Sequence, residues 1–426
     1  MIYALTFFSM FFMSFIFSVQ HSVGCWLVLM LIHGVVYEIF GPVTQHVPFF
    51  AGIGVLFSII FFRKYSNFNY LLINLLFTLI ILMSVSIFFG INQENSILSF
   101  IVYCKSFFLA IVISIIITSQ NNIELMLKYC LCGLFIGSLV ALHQHFTGNY
   151  AIDSIYIQRV ATLRGDPNDT AMLLVSGLSL SVYSMLNTNK IYLKFLYFFI
   201  LLSLVASIVL THSRGGFIAM IFVSILIFFK KPNIKIGLCL LSLCLLVLFA
   251  APQNYWDRMQ TLVSGKDLHQ GHSLAGRSQL QFVGLALFID NPIFGVGAGN
   301  FGESFARYGA GGSLNIGSKH AASVAHNMYL EFFVENGMFS GLLLLGIFFI
   351  AIRSMLKYDK IVLFRDSNSV NSFGLGSTFA IALSGLLFSG LFLSQGKNSV
   401  LWFIVGIGFS FSSLAKQYSL DSKNQV

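Results

Sequence analysis

The feature that most constrains this chain is a succession of apolar stretches, most of them close to the twenty residues a helix needs to cross a bilayer. They fall at 2–19, 23–40, 48–62, 70–90, 97–118, 124–144, 170–186, 192–211, 215–229, 235–251, 338–356, 372–393 and 399–415. Asp, Glu, Lys and Arg make up only 9% of the 426 residues, against 57% that are hydrophobic. A soluble domain carries about 25% charged residues, whereas a surface facing lipid excludes charge. The chain is therefore predicted to be an all-α polytopic integral membrane protein with 12–13 transmembrane helices and one large, partly helical outer loop. All six prolines (Pro42, Pro48, Pro167, Pro232, Pro252 and Pro292) sit between the apolar stretches or at their ends, where a missing backbone N–H does least harm.

The stretches divide the chain into transmembrane helices over 1–144, an outer loop over 145–169, and helices over 170–251. A large loop over 252–325, an interfacial helix with the C-terminal spans over 326–415, and a tail over 416–426 follow. Arg63, Lys64, Lys128, Lys190, Lys194, Lys230, Lys231, Arg353, Lys357 and Lys360 share one set of short connections and mark the cytoplasmic face. Arg159, Arg164, Arg214, Arg277 and Lys397 fall on the other side. The net charge of +9 is thus explained by topology without nucleic acid, and the outer basic residues suit an anionic substrate. The six cysteines lie within apolar runs and read as small apolar side chains, not as a disulfide framework or metal site. The apolar N-terminus has no charged n-region and reads as a retained helix.

Four motifs carry the chemistry. Arg159 and Arg164-Gly165-Asp166-Pro167-Asn168 precede a span. Ser213-Arg214-Gly215-Gly216 sits at the outer interface between two spans with almost no loop; an arginine there either snorkels or binds an anion beside glycines that admit a substrate. Arg277 opens an apolar run that ends in Asn291-Pro292 and, taken alone, reads most simply as a solvated loop residue. His326-Asn327-Met328-Tyr329-Leu330-Glu331 begins a helical pattern that places His326, Leu330, Phe333 and Gly337 on one face and Glu331 and Glu335 on the next. A histidine there is either hydrated at the interface or a general base working near neutral pH. Gly297-Ala298-Gly299-Asn300-Phe301-Gly302 matches GxGxxG but lacks the strand and helix of a dinucleotide fold, and predicts a tight turn that exposes backbone. No Ser-His-Asp order, HExxH or acidic metal cluster stands out; Asp153, Asp166 and Asp169 share one outer loop and could bind a cation, but turn chemistry accounts for the last two equally well.

Taken in this order over about 160–345, these motifs resemble the O-antigen ligase and O-antigen polymerase family of bacterial membrane glycosyltransferases. One departure is that Gly337 and Gly341 are separated by three residues, with Ser340 where the family pattern has its second glycine. The resemblance implies a metal-independent, inverting transfer of a glycan from undecaprenyl pyrophosphate to an acceptor hydroxyl at the periplasmic face of the inner membrane. The acceptor would be lipid A–core for a ligase or a growing glycan for a polymerase, with a chain-length regulator as a further partner. Arg214, Arg277 and His326 would be catalytic, and Arg159, Arg164, Asn327, Glu335, Gly215 and Gly216 would bind substrate; neither cofactor nor metal is implied. The competing reading is a transporter or flippase of an anionic solute, which would place charge deep within the spans; only Lys105 and Glu38 lie there.

Overall fold

The computed structural model describes residues 2–62, 69–153, 158–163, 165–232, 274–310, 324–365 and 373–423. These form an all-helical membrane protein. Helices α1 (Ile2–Ile16), α2 (Val19–Leu31), α3 (His33–Phe40) and α4 (Val47–Phe62) lead into the long helices α5 (Tyr70–Phe88), α6 (Gln93–Ile116) and α7 (Gln120–Thr147). A two-residue antiparallel ladder pairs β1 (Ile152–Asp153) with β2 (Gln158–Arg159). Helices α8 (Pro167–Leu186), α9 (Ile191–Leu210) and α10 (Arg214–Lys230) follow. After them come α11 (Leu274–Asp290), α12 (Phe301–Ala310), α13 (Met328–Arg365), α14 (Leu375–Ser389) and α15 (Ser399–Lys423).

Among the described residues, eight helices are long and apolar enough to cross a membrane, or nine if the α2–α3 pair, bent by 63°, counts as one span. The thirteen apolar stretches yield fewer full spans for local reasons. Segment 235–251 lies outside the described residues. The segments at 2–19, 215–229 and 372–393 form helices of 15, 17 and 15 residues, and a helix of 15 residues is only about 22 Å long. Segment 338–356 does form a span, fused with the preceding interfacial helix into α13.

Helix α8 sits at the centre, packed on α9, α10 and α14, and 78% of its apolar window is buried, against 28% for α5. Small hydroxyl side chains let these helices approach and bond across their contacts. Ser179 donates to the Thr378 carbonyl on α14 (2.9 Å), Ser207 on α9 donates to the Ser138 carbonyl on α7 (3.0 Å), and the Ser138 and Ser203 hydroxyls meet at 3.0 Å. At the end of the bundle where α13 finishes, Asp359 accepts the Gly376 N–H (2.8 Å) and the Ser377 N–H (2.6 Å), and so caps α14 from a neighbouring helix. Lys190, Lys230, Arg353, Lys357 and Lys360 gather at that end. The turns around 158–168, 211–214, 291–300, 326–328 and 389–398 lie at the opposite end.

Candidate functional site

The site is built first on the entry to α10. The chain leaves α9 through His212, which adopts φ 50°. Positive φ is uncommon for a side-chain-bearing residue, although histidine tolerates it better than most. Ser213 then caps α10, accepting the Gly216 N–H at 3.2 Å, and places Arg214 at the first helical position, where it is buried. Gly216 has no room for a side chain, since a Cβ would lie 2.5 Å from that of Ala171.

A second segment clamps this turn from behind. Asp166 caps α8 by accepting the Asn168 N–H (2.7 Å) and the Asp169 N–H (3.2 Å), with Pro167 at the first helical position. Arg159, only 6% exposed, donates from Nε to the Thr211 carbonyl (2.8 Å) and from Nη2 to Asn168 Oδ1 (2.9 Å). Ser213 donates its hydroxyl to the same Oδ1 (2.9 Å). A small, partly open cavity lies beside this network, lined by Asn168, Met172, Ser213, Gly215, Gly216, Ser389, Phe392 and Leu393.

The second turn is fastened to the segment after α14, part of which lines the cavity. His326, half-buried, also takes φ 50° and lies two residues ahead of α13, so the helix starts later than the His326 expected from sequence. Asn327 caps the helix, its Oδ1 accepting the Tyr329 N–H (3.0 Å) and the Leu330 N–H (3.1 Å). The Met328 N–H donates to the Gly390 carbonyl (2.7 Å). Glu331 accepts the Ala325 N–H (3.0 Å) and the Ser394 hydroxyl. The turn after α14 therefore contributes Ser389 and Phe392 to the cavity and anchors the start of α13 through Gly390 and Ser394.

The glycine-rich loop performs a structural task. Gly295, Gly297 and Gly299 have φ of 72°, 91° and 79°, the backbone-exposing turn that the sequence predicts. This loop enters a break in α13 at Gly337 (φ 79°, ψ 175°). The Val334 and Glu335 carbonyls at the break accept the Val296 and Gly297 N–H groups, both at 2.9 Å, and the Met338 N–H donates to the Pro292 carbonyl (2.8 Å). A break inside a span is tolerated when neighbouring groups satisfy the freed backbone in this way. A Cβ at Gly337 would lie 1.9 Å from the Ile293 carbonyl oxygen, so no other residue fits there.

The predicted residues thus separate into groups. Gly215 and Gly216 line the cavity, Arg214 stands beside them, and Arg159 holds the turn from within the protein. His326 and Asn327 lie on the second turn. Glu335 is 2% exposed and is not among the cavity residues; its Oε1 accepts the Phe301 N–H at 3.4 Å. Arg277 falls in the first turn of α11, and Arg164 lies outside the described residues. Sequence reasoning missed the turn after α14. Its only signal was the polar run Ser394-Gln395-Gly396-Lys397-Asn398 following the small pair Ser389-Gly390.

The two motif turns are thus linked through the segment after α14. Residues 197–345 match the O-antigen ligase family. The matched segment holds Ser213 to Gly216, α11, α12, the glycine-rich loop, Gly337 and His326-Asn327. Asn168, Met172, Ser389, Phe392 and Leu393, which complete the cavity, lie outside the matched residues. No curated protein matches the chain.

Proposed function

We propose that this membrane protein transfers a glycan from an undecaprenyl-pyrophosphate carrier to an acceptor hydroxyl, at the periplasmic face of a bacterial inner membrane. The observation that carries this reading is the meeting of the Ser213–Gly216 turn and the His326–Met328 turn on the Ser389–Ser394 segment, within or beside an O-antigen ligase domain. The crowding of lysine and arginine at the opposite end of the helices supports an outward-facing site.

In this reading His326 takes the proton of the acceptor hydroxyl as its oxygen attacks the anomeric carbon. The bond from that carbon to the pyrophosphate oxygen breaks, the configuration inverts, and the lipid pyrophosphate leaves as an anion. Arg214 and Arg277 hold that anion. A guanidinium suits phosphate oxygens and stays charged throughout, and pyrophosphate is already a good leaving group, so positioning and charge stabilisation suffice without a covalent intermediate. Gly215 and Gly216 admit the phosphates to backbone, Asn327 fixes the histidine turn, and Arg159, Arg164 and Glu335 support the donor surface. Lipid A–core as acceptor makes the protein a ligase; a growing glycan makes it a polymerase.

The test is glycan analysis of a deletion strain complemented with wild type or His326→Ala. Loss of all capped lipopolysaccharide, with polymer accumulating on the lipid carrier, identifies a ligase. A single repeat left on the core identifies a polymerase. Normal lipopolysaccharide in every strain would remove the O-antigen assignment and favour another exported glycan or transport.

A further inference from the structure

Asn168 has a side chain whose orientation is fixed by its partners. Arg159 Nη2 can only donate, so the atom it meets at 2.9 Å is an acceptor. The same atom lies 2.9 Å from the Ser213 hydroxyl, and because an amide oxygen only accepts, the hydroxyl proton points to it. Two donors therefore claim Oδ1, and the carboxamide cannot be flipped without facing N–H groups against N–H and O–H groups. The Nδ2 group is left over. Among the described residues none accepts from it, and Asn168 is one of the cavity-lining residues.

The same wall carries Gly215 and Gly216 at the start of α10, and Arg214 lies between these glycines and Ser213. A neutral N–H pair facing a helix start, whose first residue is an arginine, matches an oxyanion, to which each N–H adds a charge-assisted hydrogen bond. We propose that Asn168 is a further donor-binding residue, whose carboxamide N–H groups bind a phosphate oxygen of the lipid-linked pyrophosphate while its carbonyl oxygen holds Arg159 and Ser213. The assignment rests on the glycosyl-transfer reading above and adds a contact from outside the matched family segment. It also gives Arg159 a role at one remove. Arg159 orients the amide that touches the substrate.

The substitution Asn168→Asp separates the two halves of that side chain. Aspartate has nearly the same shape, still accepts from Arg159 and Ser213, gains a charge pair with Arg159, and is favoured in the first turn of α8. It loses only the N–H groups, and turns an acceptor toward the anion. The experiment compares wild type, N168D, N168A and R214A as full-length proteins in detergent micelles. It measures transfer from undecaprenyl-pyrophosphate-linked glycan, inhibition by a short polyprenyl pyrophosphate, and thermal unfolding. The expected result is that N168D unfolds at the wild-type temperature, has a KM for the donor raised tenfold or more, and is inhibited at least tenfold more weakly by the pyrophosphate. Inhibition by the matching polyprenyl alcohol should not change.

Wild-type KM and inhibition in N168D, with R214A impaired, would overturn this inference and leave the glycosyl-transfer reading intact. A lowered unfolding temperature in N168D with losses equal to those of N168A would assign Asn168 a purely structural role and also overturn it. Undiminished transfer by R214A would remove the anion site as a whole.

Discussion

The two histidine turns have nearly the same backbone and are held in different ways. His212 and His326 both sit at φ 50°, each directly before the residue that caps the next helix, Ser213 in one case and Asn327 in the other. The first turn is fastened by buried side chains, with Arg159 on the Thr211 carbonyl and Asn168 on Ser213. The second is fastened at its margins, through Met328 to Gly390 and through Glu331 to Ala325 and Ser394, which leaves His326 half-buried. A left-handed histidine thus does not by itself mark a base. It marks a tight entry into a helix, and the surroundings decide whether the ring is available for chemistry.

Glycine adopts the left-handed backbone without steric cost, so replacing each histidine by glycine isolates the rings. His326→Gly should lower turnover by roughly 10²–10⁴-fold, the usual cost of removing a general base, while unfolding near the wild-type temperature. His212→Gly should keep turnover close to wild type. Equal losses in the two variants, measured as kcat on purified protein, would erase the distinction between the turns. The next largest effect is expected at Arg159→Ala, which leaves the Thr211 carbonyl and Asn168 Oδ1 short of a donor in a buried place. A lost buried partner costs about 1–3 kcal/mol, visible as a lower unfolding midpoint alongside weaker donor binding. Loss of binding with an unchanged midpoint would make Arg159 a direct ligand and break the contrast. The smallest effects belong to the caps. Ser213→Ala and Asn327→Ala should each lose about 1 kcal/mol of stability, with Ser213→Ala the worse because its hydroxyl also ties down Asn168. Denaturant or thermal unfolding of the pair ranks them.

Hydropathy made the membrane class and most of the helices legible, because lipid imposes length and apolarity directly on the sequence. Residues 70–90, 97–118 and 124–144 became α5, α6 and α7 with ends shifted by a few residues. Hydropathy is blind to backbone angle, so the break at Gly337 and the left-handed histidines left no trace in it. It also ran past Ser389, reading 372–393 as one span where the helix stops and the wall of the cavity begins. Motif order singled out Arg214, Gly215, Gly216 and His326, which lie on two turns linked through the segment after α14. It gave no hint that Arg159 faces inward, because a guanidinium that binds protein and one that binds phosphate look alike in sequence. Only the Thr211 carbonyl and Asn168 separate the two.

The break in α13 carries a consequence for how the protein is made. Its unpaired carbonyls and N–H are satisfied by Ser86, Pro292, Val296 and Gly297, every one of which leaves the ribosome before Gly337 does. When α13 reaches the translocon, the loop that completes it has already been synthesised. The interrupted helix therefore need never enter lipid with its polar backbone bare, and the order of the chain works as an assembly instruction.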